Sequence, residues 1–303
     1  MTQRITWGTA GLLTLPPLLW AGNAVVGSLV VGAIPPLTLN ALRWALALVI
    51  LMPLGWRILR RPREIVERWP HLALLGLFGI GCYNAFQYLA LRTSTPINVT
   101  LIAASSSLFM LLVGFAGYRV RPTWRQMAGA MFSLVGVLLV LSRGSVHTLL
   151  ELRFVLGDLF MLAATLAWAF YSWMLARPPA SMRGAARPAW NWAEFLAAQL
   201  LFGVVWASLA AGAELRVHPT RIEWTPWIVA ALAYVAIGPA IIAYYAWGAG
   251  VARVGPTVAA IFSNLTPLFA ALLSLAMLGD VPHWYHVVAF VLIATGIIIS
   301  TRR

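Results

Sequence analysis

The strongest constraint on this fold is a series of apolar runs, each about as long as a membrane is thick. A hydrocarbon core of about 30 Å needs about 20 apolar residues per helix. Only 10% of the 303 residues are charged and 61% are hydrophobic, whereas soluble domains carry about 25% charged residues. The pattern predicts an all-α polytopic membrane protein with ten transmembrane helices. They lie near 7–31, 36–56, 70–91, 96–118, 124–142, 156–176, 192–213, 225–248, 255–278 and 284–301.

The second half of the chain repeats the first. Residues 237–300 align with residues 80–141, with a three-residue slip in one loop. Five helices per copy is an odd number, so the second copy must enter the membrane from the opposite side. The sequence therefore predicts a 5+5 inverted-topology repeat, in which the pathway lies between related halves. The units are residues 1–142, an extracellular or periplasmic linker at 143–155, and residues 156–303. The matched pairs are Gly81 with Gly238, Tyr88 with Tyr245, Pro96 with Pro256, Phe109 with Phe269, Pro122 with Pro282 and Gly136 with Gly296.

The arginines predict the orientation. All 21 basic side chains are arginine, and cytoplasmic loops carry the excess of such residues. With a cytoplasmic N-terminus, fifteen arginines fall on the cytoplasmic side and five on the other, and Arg43 remains inside the second helix. Both termini are therefore expected in the cytoplasm. The net charge of +13 reflects topology rather than nucleic-acid binding.

Several kinds of chemistry have no support in the sequence. The chain has no phosphate-binding Gly-x-x-x-x-Gly-Lys-[Ser/Thr] loop and no lysine for a Schiff base, so neither ATP hydrolysis nor an ATPase partner is implied. Its five histidines and eight acids are scattered. His283 and His286 lack the further ligands of a metal site. We expect no metal, no cofactor and no enzyme activity; an intramembrane enzyme is the least favoured interpretation.

Two motifs resemble the EamA type of the drug/metabolite transporter superfamily. Asn264 to Asp280 contains a mid-helix proline and a Leu-Gly-acid end, and Trp20-Ala21-Gly22-Asn23 resembles an element of the opening helix. Arg43 matches the second-helix arginine. The resemblance covers essentially the whole chain and is greatest to bacterial exporters of aromatic amino acids. It implies a multi-pass carrier of the bacterial inner membrane for substrates such as phenylalanine, tyrosine and tryptophan.

Polar and aromatic residues at mid-helix are the candidates for the pathway, because polar groups are costly inside a membrane. Aromatic pairs can present a wall to a substrate ring, although packing or interhelical hydrogen bonding is the alternative for each position. The candidate cavity-lining residues are Trp20, Asn23, Tyr83, Asn84, Gln87, Trp168, Tyr171, Tyr244, Trp247 and Asn264.

Three further positions have more specific hypotheses. Arg43 either gates the pathway, receives a substrate carboxylate, or extends to the membrane surface. Pro239 and Pro267 are expected to kink their helices. The acids Asp158, Glu194, Glu214 and Asp280 fall at helix ends, where we expect capping and access to water.

The leading hypothesis is export of aromatic or hydrophobic amino acids by alternating access through a central cavity. The lack of a mid-membrane acid favours a carrier without a coupled proton. A multidrug or other small-metabolite exporter of the same superfamily is the alternative. We expect a monomer in the lipid bilayer, with a dimer as the alternative, since Gly129, Ser133 and Gly136 could form a seam within or between chains.

Overall fold

The computed structural model describes residues 6–30, 32–94, 96–278 and 283–301, and these form helices joined by short loops, with no β-strand among them. Five residues on which the sequence-based predictions draw lie outside the described residues: Arg4, Asp280, Pro282, Arg302 and Arg303.

Fourteen α-helical elements follow one another along the described residues, and two of them contain a π-helical segment. They are α1 (Trp7–Val30), α2 (Pro36–Gly55), α3 (Pro62–Glu67), α4 (Trp69–Ala90), α5 (Pro96–Ala104), α6 (Ser106–Tyr118), α7 (Trp124–Leu141), α8 (Val146–Leu150), α9 (Leu156–Ala176), α10 (Trp192–Val217), α11 (Pro226–Val254), α12 (Pro256–Ser263), α13 (Leu265–Leu278) and α14 (Trp284–Thr301). Short 3-10 turns occupy Trp56–Arg60, Ala180–Met182 and Gly184–Ala186.

The long helices follow the predicted apolar runs. Eight helices or continuous helix pairs within the described residues are long and apolar enough to cross a membrane, and the pair α5–α6, bent by 41°, would add a ninth. The first predicted run is helical as α1, which has 24 residues. The all-α membrane architecture is thus confirmed, while the total of ten crossings and the side of each terminus remain predictions.

Corresponding helices of the two halves carry the same kinds of irregularity. The third predicted span contains a π-helical segment at Gly76–Cys82, and the eighth contains one at Ala236–Ile242. The fourth span breaks at Ser105, and the ninth breaks at Asn264. Such breaks are tolerated in a membrane when neighbouring side chains bind the exposed backbone groups.

Helix packing also follows a reciprocal pattern. α4 packs on α9 as α1 packs on α11, and α9 contacts α5 and α6 as α1 contacts α12 and α13. Two further contacts each join one helix of the first half to one helix of the second: α2 packs on α10, and α7 packs on α14. These contacts are the ones that a two-fold axis between five-helix units would generate, although the unit boundaries themselves remain a prediction.

Acidic residues at helix ends act as caps, but they are buried rather than water-exposed. Glu214, near the end of α10, accepts hydrogen bonds from the backbone N–H groups of Leu37 (3.2 Å) and Thr38 (2.8 Å) at the start of α2. Glu194 completes a capping box with Asn191. Asp158 accepts from the backbone N–H of Val155 (2.8 Å). The expected capping is present, whereas the expected access to water is wrong for these three carboxyl groups, which are all buried.

Glycines allow α7 and α14 to touch backbone to backbone. A Cβ atom at Gly129 would lie 2.5 Å from the carbonyl oxygen of Gly296, and one at Gly296 would lie 2.5 Å from the carbonyl oxygen of Gly129. Ser133 contributes to the same seam. The small residues of α7 therefore serve packing inside one chain.

We predict that Gly129→Ala destabilises the protein by about 1–3 kcal/mol, because the new methyl group overlaps a backbone oxygen that cannot move away by rotating a side chain. Gly117→Ala is the matched control, since a Cβ there has nothing within 4 Å and helix propensity alone favours alanine by about 1 kcal/mol. Thermal unfolding of the purified proteins in detergent measures both. Equal unfolding temperatures for the two variants would contradict the backbone contact.

Candidate functional site

A cavity of about 190 Å³ lies between α1, α4, α5, α9 and the break between α12 and α13. We call it the outer cavity, because the predicted orientation places the end lined by Leu91 and Val99 on the extracytoplasmic side. Six of the predicted residues line it together: Trp20, Asn23, Tyr83, Asn84, Gln87 and Trp168.

The lining of the outer cavity is polar but uncharged. The amides of Asn23, Asn84 and Gln87 share it with hydroxyl groups, and none of the described lining residues is Asp, Glu, Arg or His. The hydroxyl groups belong to Tyr83, Tyr88, Thr100, Ser106, Thr165, Ser263 and Thr266. Such a surface can hydrogen-bond a dipolar ligand without binding a metal or transferring a proton to a carboxylate.

Arg43 lies directly behind this lining. Its side chain is 1% exposed, so it does not reach the membrane surface, and the hypothesis that it extends there is wrong. Its Nη1 donates to the Oδ1 of Asn84 (3.1 Å), to the hydroxyl of Tyr88 (3.1 Å) and, at 3.5 Å, to the Oδ1 of Asn23. No carboxylate lies within ion-pair distance of it in the described part of the chain.

The guanidinium fixes the orientation of the two asparagine amides. An arginine side chain carries only N–H donors, so the amide oxygens of Asn23 and Asn84 must face it. Their N–H groups then point away from Arg43. We call Arg43, Asn23, Asn84 and Tyr88 the arginine clasp; it joins α1, α2 and α4 and gives the outer cavity a positive electrostatic bias.

Four aromatic rings close the inner end of the outer cavity. Trp168 and Tyr171 on α9 stack with centroids 5.1 Å apart. On α11, Tyr244 packs against both rings, and Trp247 packs against Trp168. The centroid of Trp168 is 5.5 Å from that of Tyr244 and 5.1 Å from that of Trp247. We call these four residues the aromatic septum. They were predicted from sequence, and the structure brings them together.

Hydrogen bonds hold three of the four rings of the septum in place. The hydroxyl of Tyr244 donates to the carbonyl of Gly79, inside the π-helical segment of α4. The hydroxyl of Tyr171 lies 3.2 Å from the Oε1 of Gln199, to which it donates. The indole N–H of Trp247 donates to the hydroxyl of Ser172 (3.1 Å). Buried ring hydroxyls and indoles normally have such partners, and here the partners fix the septum to three helices.

A second cavity, of about 300 Å³, lies on the other side of the septum. We call it the inner cavity. Tyr171 and Tyr244 form its floor, while α10, α11 and the segment 177–191 form its walls. No residue that lines one cavity also lines the other among the described residues. The two cavities are therefore separate spaces divided by the rings.

Of the remaining predicted residues, Asn264 and Pro239 line neither cavity, whereas Pro267 lines the outer one. The Nδ2 of Asn264 donates to the hydroxyl of Ser133 (2.9 Å), and Asn264 is fully buried at the break before α13. Pro267 lies in the first turn of α13, where proline is tolerated, so the break precedes it, although its side chain lines the outer cavity. Pro239 lies inside the π-helical segment of α11, and its own carbonyl accepts from the indole of Trp20 (3.3 Å).

Three residues of the site were missed at the sequence level. Tyr88 completes the arginine clasp, and Gln199 anchors the septum. Thr165 lines the outer cavity one turn before Trp168. Tyr88 lies four residues after Asn84, which places both on one face of a helix, so this spacing could have identified it. Gln199 is brought to Tyr171 only by the packing of α10.

The chain is similar to known membrane transporters along its whole length. A model of the EamA-like transporter family matches residues 7–142 and again residues 155–302. The aromatic amino acid exporter YddG of Ancylobacter novellus is 28% identical over 94% of this chain and 93% of its own. An uncharacterized transporter of Archaeoglobus fulgidus is 26% identical over 96% of each. A crystal structure with 23% identity has the same fold, with a TM-score of 0.73 over 97% of both chains.

We predict that Tyr244→Phe destabilises the protein by about 1–3 kcal/mol, because the buried carbonyl of Gly79 loses its donor. Tyr245→Phe is the matched control: it removes the same atom from the next residue, whose side chain is 40% exposed. Thermal unfolding, followed by tryptophan fluorescence, compares the two. A larger loss in the Tyr245 variant would contradict the role assigned to the Tyr244 hydroxyl.

Proposed function

This chain belongs to the EamA-like transporter family, and we propose that it exports aromatic or large apolar amino acids by alternating access across the aromatic septum. It is a multi-span membrane protein, and we place it in the inner membrane of a bacterium. The relative named an aromatic amino acid exporter supports the substrate class, and the outer cavity supports it independently.

The observation that carries the proposal is the combination of aromatic rings and a positively biased, uncharged polar lining in one small space. A zwitterionic amino acid presents a carboxylate, an ammonium group and a side chain. The N–H groups of Asn23 and Asn84, backed by the charge of Arg43, suit the carboxylate. The oxygen of Gln87 suits the ammonium group. Trp20, Tyr83 and Trp168 offer faces and edges to an aromatic side chain.

The size and charge of the outer cavity favour an amino acid over a multidrug substrate. Its volume of about 190 Å³ lies below the roughly 300–1,000 Å³ typical of pockets for drug-sized ligands. A cationic drug would also meet the field of Arg43, and none of the lining residues that the structure describes is a carboxylate that could offset it. A substrate phosphate, conversely, would need more than one cation in a dry site.

The repeat supplies the mechanism that we propose. Two inverted units, residues 1–142 and 156–303, would exchange conformations about an axis in the membrane plane. The septum closes the path between the two cavities, so its rings must separate for a substrate to pass. Among the described residues, the lining of the outer cavity contains no carboxylate that could carry a proton with the substrate, which favours facilitated export down the concentration gradient. We propose that the carrier works as a monomer.

We expect purified protein in liposomes loaded with unlabelled phenylalanine to accumulate labelled phenylalanine by counterflow. The exchange should be saturable and should leave lysine, a cationic amino acid without an aromatic ring, largely untransported. Protein-free liposomes are the control. Accumulation no greater than in protein-free liposomes would contradict the proposed substrate class. Efflux of ethidium by a protein that does not exchange amino acids would instead favour the multidrug alternative.

We predict that Asn84→Asp shifts substrate preference from phenylalanine towards phenylethylamine, which keeps the ring and the ammonium group but lacks the carboxylate. The new carboxylate pairs with Arg43 and cancels its field, so phenylalanine exchange should fall by at least about 10-fold, the equivalent of one charged hydrogen bond. Asn84→Leu removes the amide without adding charge and is the comparison variant. An equal ratio of the two substrates in both variants would contradict the role of the field.

A further inference from the structure

We propose that the inner cavity is a second, separate binding site for the same zwitterionic, ring-bearing substrate. This inference rests on the proposed function. It concerns a space that shares no lining residue with the outer cavity in the described part of the chain. With a volume of about 300 Å³, it is larger than the outer cavity and can hold a complete amino acid without opening of the septum.

The walls of the inner cavity suit an aromatic side chain. Trp190, Trp192, Phe195 and Tyr245 line it above the floor formed by Tyr171 and Tyr244, and Met174 and Met182 complete the apolar surface. Offset or edge-to-face aromatic contacts contribute about 0.5–1.5 kcal/mol beyond burial of area. Thioether contacts adapt to rings of different shape. This composition favours a planar aromatic ligand over an aliphatic one.

The polar groups of the inner cavity suit the charged ends of an amino acid. Arg187 lines the mouth and can pair with a carboxylate in two parallel hydrogen bonds. His71 also lines the cavity, and its buried Nε2 has no hydrogen-bond partner among the described residues. Gln199 offers an amide beside the floor, where its Oε1 accepts from the hydroxyl of Tyr171. The outer cavity has a different set, with a buried guanidinium behind neutral amides.

The wall of the inner cavity is held in a defined position. Segment 177–191 is tied to the start of α4 by Arg68, whose Nε donates to the carbonyl of Ser181 (3.1 Å) and whose Nη2 donates to that of Ala186 (3.1 Å). The indole of Trp190 donates to the Oε2 of Glu64 (2.6 Å). Because these bonds fix the segment on which Arg187 and Trp190 lie, the cavity is a built site rather than a gap under a loose loop.

Gly248 provides a way to fill the inner cavity without altering the outer one. It lines the inner cavity, and a Cβ there would meet only Leu175, at 4.0 Å. The substitution Gly248→Leu therefore places an isobutyl group in the space. Gly212→Leu makes the same change on α10, where a Cβ has nothing within 4 Å. Both variants gain the same helix propensity, so any difference in binding comes from occupation of the cavity.

The test is equilibrium binding of labelled L-phenylalanine to the full-length protein in nanodiscs. We expect two molecules per chain for the unchanged protein and for Gly212→Leu, and one molecule per chain for Gly248→Leu. Arg187→Gln should weaken one of the two sites by at least about 10-fold, as expected for a lost charged hydrogen bond. Arg183→Gln, a change of another exposed arginine of the same segment that does not line the cavity, should leave both sites unchanged.

Three outcomes separate the proposals. A single site in the unchanged protein, or two sites in Gly248→Leu, overturns the second site and leaves the proposed function intact. No saturable binding of phenylalanine in any variant overturns both the proposed function and the inference. Loss of both sites in Gly248→Leu, with normal unfolding temperature, shows one continuous site across the septum and also overturns the inference.

Discussion

The buried positive charge of Arg43 governs the organisation of the outer cavity. An arginine at the centre of a membrane helix costs about 2.5–3.5 kcal/mol on insertion scales, and hydrogen bonds to a charged group each return about 1.5–3 kcal/mol. The guanidinium of Arg43 offsets this cost by donating hydrogen bonds to neutral oxygens from α1 and α4. The three helices must therefore meet at this point, and the amides that satisfy the charge are the same amides that face the cavity.

The π-helical segments extend this organisation to the second half of the chain. Carbonyl groups within or beside them accept hydrogen bonds from side chains of distant helices: Gly79 from Tyr244, Ile80 from Asn40, and Pro239 from Trp20. A regular helix would use most of these acceptors internally. The irregular backbone thus anchors side chains of other helices, and a rearrangement of the segment in α4 would release Tyr244 from the carbonyl of Gly79.

The sequence predicted the helices and most of the site because both depend on local patterns. Apolar runs indicated the positions of the spans, since the thickness of the bilayer fixes their length. Polar and aromatic side chains at mid-helix, such as Asn84 and Trp168, indicated the candidate site. The sequence could not predict the features that depend on how the helices pack against one another. The burial of Arg43 rather than its extension to the surface follows from where Asn23 and Tyr88 lie. Asn264 hydrogen-bonds Ser133 instead of lining the cavity because α7 packs beside it. The division into two cavities follows from ring contacts between α9 and α11.

The clasp and the septum come from different halves of the chain. Arg43, Asn23, Asn84 and Tyr88 lie on α1, α2 and α4, whereas Trp168, Tyr171, Tyr244 and Trp247 lie on α9 and α11. Mutations that alter charge recognition need not touch the barrier that prevents leakage. Under the proposed function, such a division lets substitutions in the first half change the substrate while the rings of the second half still close the path.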